Sequence, residues 1–134
     1  SVEAVSEPNE TVPLDQAPTL DVAALAGSLG GDKAVMRDIL RVFHTELCAV
    51  MAELRDALEM GDFASIRSLA HRIKGAARNV RARALSHSAG ALERQVSAPE
   101  ARAILACYSH LEDDYEAVIA ALQQEGIGDP VATS

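Results

Sequence analysis

A chain of 134 residues, 49% of them hydrophobic, has the size of one domain and enough apolar residues to bury a core. Its aromatics are two Tyr and two Phe with no Trp, so Ala, Leu, Val and Ile must fill that core, which favours packed helices over sheets. A formal charge of −8 argues against whole-molecule attraction to nucleic acid or to an anionic membrane surface.

Residues 1–18, SVEAVSEPNETVPLDQAP, hold three of the five prolines and four acids, the composition of a disordered acidic linker. The chain opens on Ser1 rather than Met, which reads as a piece of a longer protein with something folded upstream. Thr19 is placed to cap a short helix, LDVAALAGSL, that Gly30 and Gly31 would stop. Asp32 is the next cap candidate, and a long helix should run from there to about Met60. In it Val35, Met36, Ile39, Leu40, Phe43, Leu47, Val50, Met51, Leu54 and Leu58 recur at 3–4 spacing. Gly61 should end that helix, and Asp62 should cap a third one reaching about Val80. After a short connection at Arg81, a fourth helix is expected over about 82–97, with Leu85, Ala89, Leu92 and Val96 inward. Ser97 and Pro99 mark the next start. The last helix should bury Ile104, Leu105, Tyr108, Leu111, Tyr115, Val118, Ile119 and Leu122, with Gly126 and Gly128 closing it. Tight connections favour antiparallel neighbours. The expected fold is therefore all-α: an up-down four-helix bundle with a short extra N-terminal helix over 19–126, then a flexible tail, 127–134.

The average charge hides an asymmetry. From Phe63 to Leu92 there is no acid, and Arg67, Arg72, Lys74, Arg78, Arg81 and Arg83 all fall in that window. The window thus carries +6 of a chain total of −8, and the remainder carries −14. A basic patch on an acidic chain suits a local anion or an acidic partner surface. Cys48 and Cys107 read as buried thiols of a reducing compartment. No run is apolar for long enough to span a membrane.

Within that window, residues 70–78 read AHRIKGAAR. At about 100° per residue, Ile66, Leu69, Ile73 and Val80 cluster near about 270° from Phe63, while His71 falls near about 80°. Arg67, Lys74, Gly75 and Arg78, at i−4, i+3, i+4 and i+7, share the outward side with it. An imidazole near neutral pH has a free lone pair and can act as a nucleophile. Lys74 can offset charge on a phosphoryl group, and Gly75 leaves room one turn along. An interior glycine costs a helix about 1 kcal/mol relative to Ala, and clearance around a reacting group would justify it. Surface histidines are common, however. His87 and His110 also fall on polar faces, and a helical glycine can serve close packing alone. Arg67 and Arg78 fit a solvated helix face as well as a docking surface.

The stretch His71-Arg72-Ile73-Lys74-Gly75-Ala76-Ala77 resembles the H-x-[LI]-K-G-x-[AS] signature of histidine-containing phosphotransfer (HPt) domains. Val80, Leu85 and the Leu92-Glu93 pair match further family positions, and GGDKAVMRDILRVF resembles the family's first long helix. The resemblance covers about residues 19–125. It implies a bundle in which His71 accepts and donates a phosphoryl group, Lys74 assists and Gly75 gives access. Arg67, Ala70 and Arg78 would lie on the docking surface, with Ala77 suited to the same contact. By resemblance the reacting nitrogen is Nε2. Partners would be the receiver domains of a hybrid sensor kinase and of a response regulator. The domain would be the kinase's C-terminal module, cytoplasmic, at the end of a membrane-anchored sensor. It would hold no cofactor of its own; Mg²⁺ would come with the receiver. Family members often have Gly ten residues after the histidine. Arg81 stands there, which predicts a differently shaped turn and added charge near the docking surface.

No G-x-x-x-x-G-K-[ST] loop or kinase glycine loop is present, so no ATP site is expected. Arg72, not an acid, follows His71, which argues against a self-phosphorylating kinase core. The domain then reads as a phosphotransfer intermediate without turnover of its own. Paired Glu-x-x-His motifs for a bundle metal site are missing, and Cys107-x-x-His110 alone offers two ligands. The basic window lacks aromatics for stacking on nucleic acid. The strongest rival is a non-catalytic helical adaptor, which needs exposed apolar anchors and no particular histidine. The isolated domain is expected to be a monomer without membrane or nucleic-acid contact.

Overall fold

The computed structural model describes residues 13–97 and 100–128. Among them a single 3-10 turn, Leu14–Gln16, precedes five α-helices, and there is no strand. The helices are α1 (Val22–Ser28), α2 (Lys33–Met60), α3 (Phe63–Asn79), α4 (Arg83–Gln95) and α5 (Ala101–Gln124). The turn replaces part of what composition assigned to the linker. Residues 1–12 of that linker, the start signal at Pro99 and residues 129–134 of the tail lie outside the described residues. No described helix is long and apolar enough to cross a membrane.

Aspartates start the first three helices. Asp21, Asp32 and Asp62 accept from the backbone N–H of Ala24, Val35 and Ser65 at 3.0, 3.1 and 3.2 Å. Each side-chain oxygen satisfies one of the donors that a helix start leaves unpaired. Asp21, not Thr19, therefore caps α1. The shift has a packing reason: Leu20, just before the cap, and Leu25, four residues after it, are both buried and belong to one core cluster. The Ser65 hydroxyl also donates to Asp62 at 2.7 Å, and this bond, more than the backbone one, holds the Asp62 carboxyl below its usual range.

The ends of α2 and α3 share one hydrogen-bond pattern. At α2, Gly61 N–H meets Leu58 O and Asp62 N–H meets Ala57 O; at α3, Arg81 N–H meets Arg78 O and Ala82 N–H meets Ala77 O. This pair of bonds needs a left-handed residue at its centre. Gly61 supplies it with φ 66°, and Arg81 adopts the same conformation with φ 67°. The turn after α3 therefore keeps the shape a glycine would give, against the expectation of a different one, and Arg81 carries the strain.

The core follows the helical periodicity. Leu40, Leu54, Leu85, Leu92, Leu111 and Leu122 are fully buried, and truncating such a side chain to Ala costs about 2–5 kcal/mol. Val35 and Leu105 are corrections: they are 42% and 59% exposed. Val35 sits in the first turn of α2, about 100° around the helix from the buried Met36. On α5 the buried row is Ile104, Leu111, Val118 and Leu122, and Leu105 lies about 100° away from it. Cys48 and Cys107 are free thiols and only half-buried. Each of α2 to α5 contacts the next, and α5 returns to α2.

Candidate functional site

Residues 70–78 form the C-terminal half of α3. Ile66, Leu69, Ala70, Ile73 and Ala77 turn inward, so the register set by Asp62 sends His71 outward, with 67% of its side chain exposed. Ala70 and Ala77 are a correction: both are fully buried and cannot touch a docking partner. In α4 the buried Leu85, Ala89 and Leu92 set the register. Glu93, one residue beyond Leu92, then reaches across to α3. Its Oε2 lies 2.9 Å from His71 Nδ1, and its Oε1 lies 2.9 Å from Lys74 Nζ.

Two features fix this crossing. Ser86 Oγ donates to the Lys74 carbonyl at 3.1 Å. Gly90 is buried where the helices meet, and a Cβ there would stand 3.3 Å from Lys74 Cδ and 3.4 Å from Arg94 Nη1. The glycine that serves close packing is therefore Gly90. Gly75 is exposed, and a Cβ on it would meet nothing within 4 Å. Packing inside the domain gives no reason for a glycine at 75, which leaves clearance as the physical account.

The electrostatics centre on Glu93. Its hydrogen bond with Lys74 is the main reason its carboxyl sits below the usual range; partial burial opposes this, and His71 adds a smaller pull downward. Glu93 is thus an ionised acceptor. Because a carboxylate can only accept, the neutral ring that pairs with it carries its hydrogen on Nδ1 and its lone pair on Nε2. The cleft over the ring, about 420 Å³, is lined by Ala64, Arg67, Ser68, His71, Arg72 and Glu93. Arg67 therefore shares the His71 cleft. Arg78 does not; it lines a neighbouring groove together with Lys74. His87 is exposed and lines that same groove, and His110 is exposed on α5.

Glu93 is a candidate site residue to which the sequence pattern assigns no role, although it stands in the Leu92-Glu93 pair. One signal marked it: it is the first acid after the acid-free window.

The model of the Hpt domain family matches residues 38–125, well over half of the chain. The chain belongs to the Hpt domain family. Hpt domains carry out histidine phosphotransfer in phosphorelays, where their partners are receiver domains. The match takes in α3 to α5 and all but the first turn of α2; α1 lies outside it. No curated protein and no solved structure matches the chain. The candidate site of this Hpt domain is thus a histidine, a carboxylate and a lysine drawn from two helices, with open space at Gly75.

Proposed function

We propose that this Hpt domain is a phosphocarrier. His71 accepts a phosphoryl group from the aspartyl phosphate of one receiver domain and passes it to the aspartate of a response regulator's receiver. The observation that carries this reading is the Glu93 contact, which occupies Nδ1 and leaves Nε2 of an exposed ring free for in-line attack.

The step balances without moving a proton. Nε2 forms a bond to phosphorus as the Asp–O–P bond breaks, and the receiver's carboxylate leaves. Nδ1 keeps its hydrogen, so the phosphorylated ring becomes cationic, and the ionised Glu93 beside it offsets that charge. In the reverse sense, an Asp carboxylate of the second receiver attacks phosphorus and the neutral imidazole departs. Phosphoryl transfer needs positioning and charge stabilisation above all. Lys74 keeps Glu93 ionised and oriented, and Arg67 lines the cleft as a cation that can meet the incoming group. The receiver supplies Mg²⁺. Gly75 leaves the partner's active-site rim room to approach.

The wider setting is part of the same proposal. The cycle of contacts from α2 through α5 and back, with short connections, supports an antiparallel up-down four-helix bundle. The acidic, Pro-containing stretch ahead of it suits the cytoplasmic end of a hybrid sensor kinase. Arg78 joins the docking surface at its edge, and the domain acts as a monomer.

Mixing the domain with phosphorylated receivers and Mg²⁺ tests the reading. Wild type should acquire an acid-labile, base-stable label, and His71→Gln should acquire none. No label on wild type with any donor would favour the adaptor. Label retained in His71→Gln would move the site to another histidine, His87 first.

A further inference from the structure

The acid-free window carries six cations, and the structure divides them. Arg78, Arg81 and Arg83 line a basic groove of about 350 Å³ on the far side of Lys74, and His71 is not in that lining. Lys74 is committed elsewhere: its Nζ lies 2.9 Å from Glu93 Oε1. Of the six, only Arg67 and Arg72 line the cleft over the His71 ring. Both are exposed, and neither side chain has an ion pair or hydrogen bond among the described residues. Glu93 is the one carboxylate in that lining, and its two oxygens already serve His71 Nδ1 and Lys74 Nζ. Lys74 balances its charge, so the cleft keeps both arginine charges for whatever enters it.

A phosphoryl group near pH 7 brings roughly two negative charges and three acceptor oxygens. On Nε2 it would stand in this cleft, with Arg72 next to His71 in the chain and Arg67 one turn before it on α3. A guanidinium is always charged, and its planar fork meets two phosphate oxygens at once. Lys74 offers a single ammonium. Turning it to the phosphoryl group would take from Glu93 the partner that keeps it ionised. We propose that Arg67 and Arg72 together clamp the phosphoryl group on His71. Arg72 is then a further catalytic residue, and Lys74 acts through Glu93 as a positioning residue. This rests on the phosphocarrier reading and departs from the part that the motif assigns to Lys74.

Phosphoramidate is the probe, because it can phosphorylate an imidazole without any receiver. Nε2 bonds to phosphorus as the donor's P–N bond breaks and ammonia leaves. The full chain and its variants R67Q, R72Q, R67Q/R72Q and K74Q are labelled with it and followed by phosphorus NMR. The resonance missing from His71→Gln is the one on His71. Both arginines are exposed, so folding should survive their loss. R67Q/R72Q should label His71 about ten- to a hundredfold more slowly than wild type, the worth of hydrogen bonds to a charged group. Each single variant should take part of that loss, and R72K, which keeps the charge without the fork, should fall between R72Q and wild type. In R67Q/R72Q the phosphoryl group should titrate about one pH unit higher, since the cations that favour its dianion are gone. In K74Q that titration should stay close to its wild-type position. Labelling and titration unchanged in R67Q/R72Q would overturn the proposal; slower transfer from a phosphorylated receiver in that same variant would then assign the arginines to docking. A larger effect of K74Q than of R67Q/R72Q on the titration would overturn it too and return the phosphoryl contact to Lys74. A phosphoramidate label that responds to both arginines, in a chain that no phosphorylated receiver labels, would support the clamp and sink the phosphocarrier reading alone.

Discussion

The His71 cleft and the basic groove lie on either side of Lys74, and both are built by α3 and α4. They have similar volumes, about 420 and 350 Å³, and both draw on the same acid-free stretch of sequence. One carboxylate separates them. In the cleft, Glu93 orients a ring nitrogen and holds Lys74. The groove is lined by Lys74, Arg78, Arg81, Arg83, His87 and Arg94, and no described acid shares that lining. The comparison teaches that positive charge makes a surface attractive to anions, whereas chemistry needs an opposite charge placed to select one atom.

Removing that carboxylate should make the two regions alike. Glu93→Gln should slow phosphotransfer about ten- to a hundredfold, the worth of a hydrogen bond to a charged group, while leaving the label on His71; single-turnover rates with a phosphorylated receiver check it. Gly75→Ala should slow transfer about tenfold through lost clearance and, in the same protein, raise stability by up to about 1 kcal/mol. Thermal melts and transfer rates moving in opposite directions would confirm that this glycine serves the partner. Transfer at the wild-type rate would remove the clearance account.

Lys74→Gln sharpens the comparison electrostatically. The folded Glu93 carboxyl lies below its unfolded value because of Lys74, so its contribution to stability is present above the ordinary carboxylate range and is lost as pH falls through the lowered value. Without Lys74 the Glu93 carboxyl should titrate at higher pH, and acid unfolding should begin earlier. Carboxyl carbon NMR follows the first and circular dichroism the second.

Two smaller effects lie outside the cleft. Arg81→Gly should stabilise the domain by about 1 kcal/mol, less whatever the Arg81 side chain contributes, because glycine adopts φ 67° without a Cβ clash. Denaturant midpoints measure it. Tyr115 is pushed up to about 12, chiefly by burial and then by its hydrogen bond to Cys48 at 3.5 Å. Its contribution is intact below the ordinary tyrosine range and is lost as pH rises from there through about 12. Tyr115→Phe should flatten the alkaline limb of the stability profile.

What pattern reasoning reached, and what it missed, divides by distance along the chain. The aspartate caps at 32 and 62, the end of α2 at Gly61 and the outward position of His71 depend on residues within a turn or two of one another. The helical period therefore exposes them directly. Ala70 shows the limit of that reasoning. Its place beside His71 suggests the docking surface, yet one residue is about 100° of rotation, enough to bury it completely. Val35 and Leu105 belong to apolar periodic runs, and only the register of each helix against its neighbours leaves them in solvent.

The sequence by itself determined an all-helical chain, a basic outward face on α3 and the histidine at its centre, because each follows from composition or from a period of 3.6 residues. Tertiary structure alone decided which nitrogen of that histidine is free. Glu93 is 22 positions away, and its meeting with His71 and Lys74 depends on the register between two helices. A left-handed Arg81, the Ser86 bond to the Lys74 carbonyl and the missing side chain at Gly90 set that register. None of these is a periodic signal, and their effect is defined only once α4 folds back on α3.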